Sequence, residues 1–134
     1  MGECSTEQVC RIVESNVGLA IEFFDLSDVI DVGLSRESLQ RVEDVIERIR
    51  AAPGWDPEPE VVADLALLVG SLLGECVAVD AVGQWSLRDS GVLGVELPNG
   101  EFFDPFHVAQ KAIRQGVEHG ESIVRFHCVM VDRG

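Results

Sequence analysis

One carboxylate stands alone in the most apolar stretch of the chain. Residues 64–80 read DLALLVGSLLGECVAVD, and Glu75 follows ten consecutive apolar or small residues. A carboxylate taken out of water must find a cation or several hydrogen-bond donors, or take up a proton. Lys111, Arg88 and the indole of Trp85 are the partners the sequence offers. Glu75 then reads as a general base or ligand-holding group, or as a structural hub or helix-end carboxylate reaching solvent. Among the histidines, His107 is best placed to join Glu75 and Trp85 in a pocket, because it falls in the first turn of an expected helix beside Asp104. His107, His119 and His127 show no ligand spacing such as HxxxH, and His127 and Cys128 would point to opposite sides of a strand, so no metal site is expected. Asp25, Asp28 and Asp31 recur every three residues between Phe23, Phe24, Leu26, Val29 and Ile30. They lack the DxDxDG spacing of a calcium loop. That segment reads as a solvated acidic loop or as an acidic, hydrophobic docking patch for a basic partner, with Phe24 and the exposed-looking Trp55 as its apolar members. Ser86 and Ser90 have no GxSxG context, and Gly91, Gly94 and Gly100 follow no phosphate-loop spacing and read as turns.

The elements that must carry these residues follow from periodicity. Ser5 and Gln8 form a capping-box pattern ahead of Val9, Ile12, Val13, Val17, Ala20, Ile21 and Phe24, which predicts a helix over 6–24. Ser35 is an N-cap for an amphipathic second helix with Leu39, Val42, Val45, Ile46 and Ile49 on one stripe, stopping at Pro53-Gly54. The connector over 54–60, with prolines at 57 and 59 after Pro53, reads as extended. Leu65, Leu68, Val69, Leu72 and Leu73 predict a central helix ending near Val79, apolar almost all round, with Gly70 and Gly74 for close approach of another backbone. Strands are expected over 84–88 and 92–97, the Asn99-Gly100 pair signals a hairpin, and Asp104-Pro105 opens another helix. The last stretch, SIVRFHCVMV, leans to strand by its β-branched content without fixing the period. The order implies one α+β domain: an acidic helical part over 1–53, the connector, and an α+β part over 61–134, with the helices on one face of a small antiparallel sheet.

The chain of 134 residues has 24 acids and 10 bases, a formal charge of -14. Residues 1–64 hold 15 acids and 5 bases, the rest 9 and 5, so the excess sits toward the N-terminal half. Such a field opposes unaided binding to nucleic acid or an anionic membrane and attracts a basic protein. The uninterrupted run Leu65–Gly74 is too short to span a bilayer, which needs about 20 residues. Four cysteines without a CxxC pair read as reduced thiols. The start, MGECSTEQ, has no export signal and meets the loose myristoylation pattern only by Gly2 and Thr6 beside acidic Glu3, so a cytoplasmic protein is expected.

GSLLGE at 70–75, GQW at 83–85 and PFHVAQK at 105–111 together resemble a pattern of bacterial domains of unknown function, in which a GxxxGE helix precedes a Gly-Gly-x-Trp strand and a Pro-Phe-x-x-Val-x-Lys helix start. Here Val82 replaces the first glycine of the pair, and only the C-terminal half is covered. The resemblance implies that Glu75, Trp85 and Lys111 meet in space, and related small acidic proteins include candidates for immunity to bacterial toxins.

The sequence therefore favours a non-enzymatic module, an immunity-type inhibitor or regulatory partner of a basic protein, with no cofactor. The alternatives are a small enzyme or ligand-binding domain built on Glu75, Trp85 and His107, and a structural subunit that forms a homodimer through the leucine-rich helix or the Trp55 loop.

Overall fold

In a computed structural model of the chain, which describes residues 6–28 and 36–133, five helices gather around one hydrophobic core and a three-stranded sheet. The helices are α1 (Thr6–Phe23), α2 (Arg36–Arg50), α3 (Pro59–Asp80), α4 (Pro105–Gln115) and α5 (Ile123–Arg133). The strands are β1 (Gln84–Leu87), β2 (Leu93–Glu96) and β3 (Phe102–Phe103), in the order β1-β2-β3 and antiparallel throughout. The expected α+β class is the one observed. Ser5, Asp31 and Ser35, which carried the first cap, part of the acidic patch and the second cap, lie outside the described residues.

α3 is the axis. Val62, Ala66, Val69, Leu72, Leu73, Cys76 and Val77 are almost wholly buried on it, with α1, α2, α4, α5 and the sheet packed around. Pro59 and Glu60 belong to this helix rather than to the extended connector, because proline's fixed φ and missing N–H suit the first turn. Begun there, α3 has 22 residues and is long and apolar enough to cross a membrane by length and composition, which the shorter run 65–74 is not. It lies instead inside the domain, where its apolar sides meet other helices.

Two glycines let that happen. A Cβ on Gly70 would stand 2.9 Å from the Cα of Phe106, and one on Gly74 would strike the six-membered ring of Trp85 and come within 3.0 Å of Pro105. The expected close approach is therefore made by the start of α4 on the first glycine and by Trp85 with Pro105 on the second. Asp104 caps α4, its carboxylate accepting from the N–H groups of Phe106 (2.9 Å) and His107 (3.2 Å). At the other end of α4, Arg50 from α2 donates to the carbonyls of Ile113 (3.1 Å) and Arg114 (3.4 Å), satisfying groups a helix terminus leaves open.

In the sheet, Trp85 pairs with Val95 and Val95 with Phe103, so one face carries all three toward the helices. Gly94 is in the middle of β2 and not in a turn: a side chain there would meet the Phe103 carbonyl and the Phe102 ring. The Asn99-Gly100 hairpin forms as expected, closed by the bond from the Leu97 N–H to the Glu101 carbonyl (2.8 Å). The terminal stretch is helical. Read at a period near 3.6, Ile123, His127 and Met130 share one buried face, and Ser122 caps the helix by accepting from the Arg125 N–H (3.1 Å).

Candidate functional site

The expected acidic patch divides in the structure. Phe24 is 3% exposed and belongs to the core, since the spacing 13, 17, 20, 24 carries the buried stripe of α1 to its end. The exposed aromatic is its neighbour Phe23, 59% exposed, which shares a second stripe of α1 with Ile12 and Leu19. Asp25 turns the chain at φ +53. Asp28 is held by Arg41 of α2 at 2.8 Å, and the hollow beside Asp25 is lined by Arg41 and Arg48 as well as Asp44. Charge at this corner is therefore partly neutralised.

A different surface keeps its charge. Residues 12–23 contain two acids, Glu14 and Glu22, and no base, and residues 51–87 contain six acids and no base. The first range supplies most of α1, and the second the Trp55 connector, α3 and β1. Trp55 is half-buried rather than exposed, packed against the core. With Phe23, Ile49, Val61, Leu65 and Leu68 it lines a groove of about 310 Å³ whose acidic member is Asp64. Val61 and Leu67 of α3 are also exposed. Among the described residues, Asp56, Glu58, Glu60 and Asp64 take part in no ion pair. An apolar groove and an apolar helix stripe thus draw mainly on segments 12–23 and 55–68, which contain no base, while Arg11 beside the stripe is paired with Glu7.

Glu75 and Trp85 do come together, lining a second cleft of about 400 Å³ with Cys10, Ala78, Val79 and Gln84. Lys111 is not part of it. Its ammonium is turned to Glu121 at 3.8 Å, so only two of the three residues expected to meet share this cleft. His107 is exposed on the first turn of α4 and does not line the cleft either.

A further group of buried polar side chains lies at the C-terminal end of α3. His127, 2% exposed, donates from Nε2 to the Asp80 carboxylate at 2.7 Å, while its Nδ1 is buried without a hydrogen-bond partner. Asp80 ends α3, where a negative side chain is opposed by the helix dipole, and the imidazole N–H offsets that. One turn back on α3, burial pushes the Cys76 thiol up to about 12, with the Asp80 charge adding to the effect and a hydrogen bond with Ser38 of α2 opposing it. A nucleophile needs a thiolate, so Cys76 is an inert core thiol. Among the described residues Cys10, Cys76 and Cys128 form no disulfide, and no group of three metal-ligating side chains occurs. His127 was legible in principle, since reading 122–131 at helical period puts it between Ile123 and Met130 on the core face.

Comparison with protein-family models, with curated proteins and with solved structures gives no match to this chain.

Proposed function

We propose that this chain is a small acidic protein-binding module of the cytoplasm that holds a basic protein, in the manner of an immunity-type inhibitor or regulatory partner. The observation that carries the reading is the surface formed by α1, the Trp55 connector and α3, which exposes a groove and a stripe of large apolar side chains on segments whose one base, Arg11, is paired with Glu7. Apolar area supplies affinity there, and the uncompensated carboxylates select the sign of the partner and speed its approach. The same charge argues against a second copy of the chain as the occupant, because two such faces repel. The acidic corner at Asp25 and Asp28 gives up the leading role, since Arg41 and Arg48 stand beside it.

Capture from a native lysate at low salt, followed by a salt step and mass spectrometry, tests the reading. A basic protein bound in simple stoichiometry is the expected result, lost from the Glu22→Lys, Asp64→Lys double variant and retained by the Asp25→Asn, Asp28→Asn variant. Retention by the first variant, or a homodimer mass for the isolated chain, would remove the proposal.

A further inference from the structure

Three side chains could have satisfied Glu75 from within the chain, and none does: the two cations are engaged elsewhere and the indole N–H does not reach it. Lys111 turns to Glu121, the Arg88 guanidinium lies 4.1 Å from the centroid of the Phe102 ring, and the Trp85 Nε1 is buried with no hydrogen-bond partner. Arg11, the neighbour of Cys10, pairs with Glu7 at 2.9 Å. No base occurs anywhere in 51–87, so α3 and β1, which supply most of the cleft, bring none. Among the described residues Glu75 is therefore a half-buried carboxylate without hydrogen bond or ion pair, set in a cleft beside an indole.

That combination selects a planar cation. A guanidinium forms a charge-assisted fork on a carboxylate and is attracted to an aromatic face, and an arginine stem is solvated by apolar walls such as Ala78 and Val79. We propose that the Glu75–Trp85 cleft receives an arginine side chain of the basic partner. The proposal rests on the basic-partner reading above and deepens it: the groove at Trp55 supplies apolar area, and this cleft reads one residue type.

The test uses the full chain labelled with ¹⁵N and titrated with N-acetyl-arginine amide. The two tryptophans give two indole signals, and the signal of Trp55 serves as the internal control. The expected result is a saturable shift at Trp85, absent with the neutral N-acetyl-norleucine amide and weaker with N-acetyl-lysine amide. Glu75→Gln, a near-isosteric change at a half-buried site, should weaken the arginine amide by about tenfold or more, as loss of a charged hydrogen bond does. An equal response to norleucine amide, unchanged affinity in Glu75→Gln, or a shift at Trp55 alone would overturn the cleft. Equal binding of lysine amide would overturn the choice of guanidinium. Lysate capture separates this from the parent reading. If Glu75→Gln captures a basic protein as the wild type does, the cleft fails and the basic-partner reading stands. If arginine amide binds but no basic protein is captured, the partner as source fails and the cleft is a small-molecule site.

Discussion

Glu75 announced itself in the sequence because a charge among ten apolar neighbours breaks a pattern. His127 and Cys76 did not, because each is ordinary in composition and acquires its setting only when α5 and α2 close on α3. Their environments make two predictions. The folded chain holds the Cys76 proton up to about pH 12, whereas an unfolded thiol releases it near 9. Between those values the unfolded state binds fewer protons than the native state, so stability falls as pH rises, by up to about 1.4 kcal/mol per pH unit. Denaturant titrations from pH 8 to 10.5 should show the decline, and Cys76→Ala should flatten it. In the folded state iodoacetamide with peptide mapping should mark exposed Cys10 and leave Cys76 unmodified. The second prediction concerns Asp80. Asp80→Ala leaves the His127 Nε2–H without its acceptor, beside an Nδ1 that already lacks a partner. The expected loss is about 1–3 kcal/mol, which exceeds the roughly 0.3–1 kcal/mol gained by removing a carboxylate from a helix C-terminus. Asp80→Asn, which keeps an acceptor, should lose less than half as much in chemical denaturation.

Among the elements, those with a strong period or an explicit stop were readable. α1, α2, the two longer strands, the Asn-Gly hairpin and the Asp-Pro start of α4 all fall within a few residues of expectation. The misreadings have physical causes. Pro59 reads as loop in a proline-rich stretch, yet proline is favoured at the first helical position, so α3 begins before the apolar run that marks it. The terminal stretch leaned toward strand because β-branched residues favour sheets locally, but burial of Ile123, His127 and Met130 on one face overrides that preference. Glycine shows how context decides. Gly18 in α1 has open space around it, so Gly18→Ala should stabilise by about 0.5–1 kcal/mol through helix propensity alone. Gly74→Ala earns the same propensity but drives a methyl into Trp85 and Pro105, and overpacking of about 1–3 kcal/mol should win. Opposite shifts in thermal midpoint for two identical substitutions would confirm that Gly74 exists for the approach of Trp85. Like signs would refute it.

For the whole molecule, composition shows the sign of the charge but not the surface that carries it. The excess of acids was visible in the sequence. That α1 from residue 12 onward and the segment from the Trp55 connector to β1 carry eight acids and no base, while α2, α4 and α5 carry eight of the ten bases, needed the fold. Such crowding has a cost, because like charges destabilise the compact state and salt relieves them. Raising NaCl from 10 to 500 mM should therefore lift the thermal midpoint of the free chain by roughly 3–5 °C, the equivalent of about 1 kcal/mol. Glu22→Gln with Asp64→Asn should raise the midpoint at low salt and shrink the response to salt, since neither carboxylate has an ion pair among the described residues to lose. The same pair of changes should weaken the hold on a basic protein. A variant that becomes more stable alone and poorer at binding would show that the repulsion is retained for recognition. One that loses stability would show that these carboxylates support the fold.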